Sequence, residues 1–230
     1  MTSSAKKTTA RIRAVTALAL LAAVTACHSA SGHRASTPTS VPASALDGLL
    51  LSPDDISAVM GTSALVADPP STSPRDHRIL MPNVNCLGIW EVAEKAIYDD
   101  SGFTGMRDQY MREPDTDAWE ALVIQAAVTY PSNDAAKAFF AASADRWSKC
   151  TNHRVNITIN NQRQMSWWFG NLTKTDTQLT MPVTRGPDER TCQHALSVVM
   201  NLIIDVTACS PTVTDQAATI MKKIKDRINS

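Results

Sequence analysis

Hydrophobic and polar positions divide the chain into stretches of different character. After Lys6, Lys7, Arg11 and Arg13, the run Ala14 to Ala26 is uncharged for thirteen residues. His28 to about Ser44 almost lacks large apolar side chains and is rich in Ser, Thr, Pro and Ala, a composition that cannot offset chain entropy and predicts a flexible tether. Ala45 to Leu51 is a short apolar segment. Ser52-Pro53-Asp54-Asp55 then reads as a helix start, with a capping residue, a proline in the first turn and acids at the positive end, and Gly61 as its stop. Asp68 to Asn85 holds four prolines and predicts a long surface loop. Cys86 to Tyr98 has helical spacing through Leu87, Trp90, Val92, Ala93 and Ile97. Phe103–Arg112 and Trp119–Tyr130 read as strands around the turn Glu113-Pro114-Asp115, and the apolar run Ala121 to Val128 predicts a central strand. Pro131-Ser132-Asn133-Asp134 opens a helix over Ala135 to Cys150, with Ala138, Phe139, Ala142, Arg146 and Trp147 toward the core. Val155–Ile159, Arg163–Phe169 and Gln178–Val183 read as shorter strands. Thr214 to Ile228 is an amphipathic helix with Ala217, Ile220, Met221, Ile224 and Ile228 on one face. Helices interspersed among hairpin-connected strands give an α+β fold with a mainly antiparallel sheet.

Between Cys192 and Cys209 two β-rich runs flank Met200-Asn201. If that dipeptide is the turn, opposed residues have numbers summing to 401, and so do Cys192 and Cys209. A two-residue turn places them in a non-hydrogen-bonded pair, close enough for a disulfide. With Cys27 set aside, as argued below, Cys86 and Cys150 remain to pair with each other. Zinc is the competing use of these cysteines, but there is no Cys-x-x-Cys and no His at ligand spacing from any of them. The pattern implies no metal and no cofactor.

Composition changes the picture at the N-terminus. The chain has 22 Lys+Arg and 22 Asp+Glu over 230 residues, but four of the basic residues lie in the first 26. The remainder is mildly acidic, which argues against a nucleic-acid partner. A basic start, an apolar run too short to span a bilayer and a small-residue end make residues 1–26 an export signal. Val24-Thr25-Ala26-Cys27 resembles the bacterial lipobox, whose cysteine takes a diacylglyceryl group and becomes the new N-terminus after cleavage. Two or three acyl chains hold a protein stably on a membrane. The expected organisation is a signal at 1–26, lipidated Cys27 with its tether at 27–44, and a folded domain at 45–230, lipid-anchored on the extracytoplasmic side of the cell membrane. Asn156-Ile157-Thr158 and Asn171-Leu172-Thr173 match the glycosylation sequon and are read as ordinary loop or strand sequence in an exported bacterial protein.

Catalytic signatures are few. Gly61-Thr62-Ser63-Ala64-Leu65 lacks the second glycine of a nucleophile elbow, and the P-loop, His-Glu-x-x-His and EF-hand patterns are absent. In the 401 register His194 faces Thr207 and is diagonal to Asp205, a pair able to act as general base or ligand anchor, or simply to satisfy itself at a sheet surface. Trp167-Trp168-Phe169 concentrates aromatics in one strand; Trp167 and Phe169 point one way and Trp168 the other. One face completes the core, and Trp168 is taken for an apolar or sugar-binding cleft, with Trp119 and Arg112 near a strand end as further candidates.

The order of several short motifs resembles one known family. Leu49-Leu50-Leu51-Ser52-Pro53-Asp54-Asp55-Ile56 with Val59-Met60-Gly61 looks like the opening of the PknH-like extracellular sensor domain. Cys86-Leu87-Gly88, Arg112-Glu113-Pro114, Gln125-Ala126-Ala127-Val128 before Tyr130-Pro131-Ser132, and Trp147 with Cys150 are similar to it in sequence and spacing. So are Cys192-Gln193 with Ala195-Leu196 and Asp205-Val206 with Ala208-Cys209. The resemblance covers residues 45 to 228 and implies one α+β domain, two disulfides matching Cys86–Cys150 and Cys192–Cys209, and a surface cleft for a ligand. Family members occur on mycobacterial receptor-type Ser/Thr kinases and as stand-alone lipoproteins, and this chain has no His-Arg-Asp, Asp-Phe-Gly or Gly-rich ATP loop. The reading is a sensor module without an enzyme, taking an unknown small-molecule or envelope ligand and signalling through a protein partner. Two alternatives stay open: an envelope hydrolase using His194 and Asp205, and a purely scaffolding lipoprotein.

Overall fold

A computed structural model describes residues 40–63, 65–116, 118–158, 164–186 and 190–228. The export signal, Cys27 and most of the tether lie outside the described residues. Ser52 accepts a bond from the Asp55 amide and Pro53 occupies the first turn of the helix it caps, as its sequence requires. The helices are α1 (Leu46–Leu49), α2 (Pro53–Met60), α3 (Val84–Trp90), α4 (Lys95–Tyr98), α5 (Asn133–Ser148) and α6 (Gln216–Ile228). The strands are β1 (Val66–Ala67), β2 (Gly105–Glu113), β3 (Ala121–Thr129), β4 (His153–Ile157), β5 (Met165–Phe169), β6 (Thr173–Lys174), β7 (Gln178–Gly186), β8 (Arg190–Val199) and β9 (Leu202–Ser210).

They form one antiparallel sheet in the order β1-β2-β3-β9-β8-β7-β5-β4, with β6 on β7. The β8–β9 hairpin has the expected register: Cys192 opposes Cys209 and His194 opposes Thr207. The disulfides are Cys86–Cys150, joining α3 to the end of α5, and Cys192–Cys209, with a Cα separation of 4.0 Å.

Helices cover both faces of the central strands. Front-facing Ile124, Ala126, Val128, Leu196 and Ile203 share a core with α3 and α5, while back-facing Val123, Ala127, Ala195, Ile204 and Val206 share one with α1, α2 and α6. That double cover explains why β3 and β9 are buried along their whole length and read as continuous apolar runs. Buried Gln125 is satisfied by Leu51, accepting from its amide at 2.9 Å and donating to its carbonyl at 2.8 Å. Asn201, in the hairpin turn, holds the Val41 amide at 2.6 Å and the Val41 carbonyl at 3.0 Å, fixing where the chain enters the domain.

Several expectations are corrected. The segment from Cys86 to Tyr98 is not one helix: the chain turns extended at Glu91, Ala93 takes φ 55°, and α4 restarts at Lys95. The break lets Glu94 turn inward to His77 and the Ala93 amide reach Asp205 at 3.4 Å. On α5 the buried stripe is Ala136, Phe139, Phe140, Ser143, Ala144 and Trp147, one face at i, i+3/i+4 and i+7 spacing, leaving Ala138 and Ala142 exposed. The proline-rich loop is less featureless than its composition suggests: Ser71 bridges to Asp108, Arg75 bridges to Glu94, and Met81 is fully buried. The two-residue strands β1 and β6 carry no sequence signal, since each is too short for a period.

Candidate functional site

On the front face, where the cover of α5 gives out, the sheet floors a cavity of about 510 Å³. Side-chain parity selects the floor. Tyr110 and Arg112 of β2, Thr207 and Cys209 of β9, Cys192 and His194 of β8, Arg185 of β7 and Trp167 of β5 all point to this side. The roof is Ile89, Trp90 and Glu91 at the end of α3, with His77 and Leu80 from the loop before it; Trp119, from the β2–β3 connection, closes one side. Trp90 packs edge-on against Trp167 with ring centroids 6.0 Å apart, and Trp119 is flanked by Arg185 and Arg190 at 4.9 and 5.0 Å.

Inside the wall, His194 is fully buried and both its ring nitrogens are engaged. Nδ1 lies 2.6 Å from the Ile89 carbonyl oxygen and Nε2 lies 2.5 Å from Asp205 Oδ1. A carbonyl only accepts, so Nδ1 carries a proton and donates it. Asp205 Oδ2 receives the Tyr98 hydroxyl at 2.7 Å, besides the Ala93 amide. Trp147 of α5 packs edge-on against the imidazole at 4.8 Å. This is a satisfied core network rather than a pair at a sheet surface, because α3 and α5 seal that part of the front face. Both ring nitrogens of His194 are thus turned to Ile89 and Asp205 rather than to Thr207 opposite it.

The roof carries a second polar cluster. The Glu94 carboxylate, fully buried, bonds the His77 ring and accepts the His77 amide at 3.1 Å. That bond raises the His77 pKa above its ordinary value. Tyr110 donates its hydroxyl to Glu91, whose carboxyl is pushed up to about 7, chiefly by burial, against the opposing pull of His77 and the Tyr110 bond. Arg75 sits 4.0 Å over the Tyr110 ring and pairs with buried Asp108 at 2.8 Å. Two buried polar atoms of lining residues, Thr207 Oγ1 and Trp167 Nε1, have no partner among the described residues.

Of the five residues expected at a cleft, three line this cavity. Arg112 is paired with Asp115 at 2.9 Å and Asp68 at 3.7 Å, Trp119 forms the side wall, and His194 lies in the floor. Asp205 stands behind His194, out of the wall. Trp168 points the other way, 51 % exposed, with the Arg154 guanidinium 5.1 Å from its ring, because α1, α2 and α6 do not extend over β5. The tryptophan that lines the cavity is its neighbour Trp167, which parity had assigned to the core side. His77, Trp90, Glu91 and Tyr110 were missed: the helix break that aims Glu91 inward has no signature in residue spacing. The alternation in β2 that places Tyr110 beside Arg112 is the one signal that would have found a member of this group.

Comparison with known proteins bears on the whole domain. A family model described as PknH-like extracellular domain matches residues 41–227. The Serine/threonine-protein kinase PknH of Mycobacterium bovis is 33 % identical over 193 residues, which is 84 % of this chain and 32 % of the kinase. PknH of Mycobacterium tuberculosis is likewise 33 % identical, over 30 % of its length. The chain thus spans about a third of the curated relatives it matches. The crystal structure of the extracellular domain of PknH from Mycobacterium tuberculosis superposes with a TM-score of 0.75 at 32 % identity, covering 83 % of this chain and 97 % of that domain.

Proposed function

The chain belongs to the PknH-like extracellular domain family, and from that premise we propose that it is a non-enzymatic ligand-binding sensor held at the outer face of the cytoplasmic membrane by lipid on Cys27. The observation that carries this reading is the cavity: an aromatic-walled space of about 510 Å³ on the front face of the sheet, with Glu91, His77, Tyr110 and Arg112 among its lining residues. Membership of an extracellular-domain family, two disulfides and a lipobox-like Cys27 support the address. The engaged ring of His194 argues against the hydrolase alternative.

Val41 is tied to the hairpin turn, whereas Cys192, in the cavity floor, lies at the other end of β8. At about 3.3 Å per residue the two points are roughly 26 Å apart. A tether entering at the turn leaves the cavity free to face away from the membrane. Output then passes to a protein partner.

The test is native mass spectrometry of the full chain, oxidised and carrying Cys27→Ser to keep it out of detergent, after incubation with fractionated envelope extract. A retained mass that competes off and is lost in Trp119→Ala, with near-UV circular dichroism unchanged, is the expected result. A folded protein that retains nothing transfers the weight to the scaffolding alternative.

A further inference from the structure

Resting on the reading of the front cavity as a ligand site, we propose that residues 76–80 are a flap in its roof, hinged between Arg75 and Met81 and latched to Glu94 by His77, and that loss of the His77 proton opens it. Both hinge points are fixed to rigid elements. The Arg75 amide donates to the Ala93 carbonyl at 3.1 Å, and the Arg75 carbonyl accepts from the Lys95 amide at 2.7 Å. Its guanidinium holds buried Asp108 of β2 at 2.8 Å. Met81 is fully buried just before α3, whose Cys86 is bridged to the end of α5. Between these points the crest stands in solvent: Asp76 and Arg78 are exposed and Ile79 is 89 % exposed. The Leu80 and Met81 amides donate to the His77 carbonyl at 2.9 and 3.1 Å, closing a turn within the flap. Among the described residues, the hydrogen bonds that tie this turn to the rest of the domain run from His77 to one carboxylate. They come from the ring Nδ1 and, at 3.1 Å, from the amide, both to Glu94. His77 and Leu80 are also what the flap adds to the cavity wall, so swinging the turn outward widens the cavity from above.

The latch depends on a balance of charge. Glu94 is fully buried, and a protonated His77 neutralises it across a charge-assisted bond, which is stronger than a neutral one. Other charged and titratable groups surround the imidazole. Glu91, at the end of α3, favours its proton, and Arg75, at the hinge, opposes it. Tyr110 of β2 donates to Glu91, while Arg112 of the same strand and Arg185 of β7 line the cavity below. The Glu94 bond is the largest of these effects and raises the His77 pKa above its ordinary 6.5. Glu91 ionises as pH rises through about 7 and sets a second carboxylate beside the same imidazolium. Once His77 is neutral, the two carboxylates share the roof without an imidazolium, and an open flap lets water reach Glu94. The closed form is favoured most below pH 6.5 and loses that advantage as pH climbs through the raised His77 value.

The experiment is hydrogen–deuterium exchange, read by mass spectrometry, of the oxidised full chain carrying Cys27→Ser and no ligand. It runs between about pH 5.5 and 8.5, with each rate divided by the intrinsic rate at that pH. Peptides spanning 76–81 are expected to lose about tenfold in protection across the range, the effect of one pKa unit between the closed and the open flap. At every pH they exchange faster than peptides of β3, which marks a local opening. His77→Gln keeps a donor for Glu94 without the charge. It is expected to show at the low end of the range the protection that wild type reaches only at the high end. Protection of 76–81 that stays constant with pH overturns the latch, as does a pH response that His77→Gln retains in full. Protection equal to that of β3 overturns the flap itself. If His77→Gln fails to fold, the wild-type profile and its comparison with β3 decide. No ligand enters the measurement, so these outcomes strike the flap alone and leave the cavity reading to the native mass spectrometry.

Discussion

Asp205 and Glu91 are carboxyl groups a few residues apart in space with opposite circumstances. Asp205 is saturated, taking His194, the Tyr98 hydroxyl and the Ala93 amide. Truncation to alanine leaves the His194 ring, the Tyr98 hydroxyl and the Ala93 amide without their buried partner, so Asp205→Ala is expected to lose about 3–5 kcal/mol in urea unfolding followed by circular dichroism. Glu91 has one neutral partner and a carboxyl raised from its ordinary 4.5 to about 7 by burial. A folded-state value above the unfolded one contributes stability that is complete below pH 4.5 and lost as pH rises through about 7. His77 acts in the same direction: its raised value contributes stability present below its ordinary 6.5 and lost at higher pH. Above pH 4.5 these two groups lower the melting temperature as pH rises. Glu91→Gln is expected to flatten the lower part of that decline, up to about pH 7, in a melting series over pH, leaving the His77 part in place.

At the scale of elements, two-residue parity in β5 decides which of two adjacent tryptophans matters. Trp167 lies 7 % exposed in the cavity wall and Trp168 lies 51 % exposed on the uncovered back of the sheet. Trp167→Ala is expected to cost about 3–5 kcal/mol, whereas Trp168→Ala should stay within about 0.5 kcal/mol. Equal large losses in chemical denaturation would mean that the outer face of β5 is covered in solution. The hairpin was legible for the same reason: a strand period of two, pinned by a turn, leaves one register. The α3–α4 break was not, because apolar spacing through Leu87, Trp90 and Ala93 also satisfies a continuous helix. The backbone leaves that helix where tertiary bonds to Glu94 and the Ala93 amide outweigh one more helical turn.

For the whole molecule, the Cys86–Cys150 bridge closes a separation of 64 residues and ties the cavity roof to α5. By chain entropy such a link contributes about 4 kcal/mol. An exported, oxidised state is therefore part of how the roof stays over the floor. The proposed lipid anchor belongs to this scale too. Wild-type chain is expected to partition into the detergent phase on Triton X-114 separation of expressing cells, and Cys27→Ser to move to the aqueous phase. A Cys27→Ser protein still in the detergent phase would remove lipidation from the functional reading.

The sequence by itself determined the α+β class, the hairpin register with its cystine, the capped starts of α2 and α5 and the buried stripe of α6. All are fixed by local period, turn chemistry or charge at a helix end, whose physics extends over a few residues. Motif order was enough to point to the family. Only the tertiary structure decided that Trp167 rather than Trp168 faces a cavity, that both ring nitrogens of His194 are bonded inside the wall, and that Glu91, His77, Tyr110 and Trp119 converge on one space. Convergence of lining residues as far apart in the chain as His77 and Cys209 depends on which face each helix covers and where the cover ends, and that is set by packing the whole core at once.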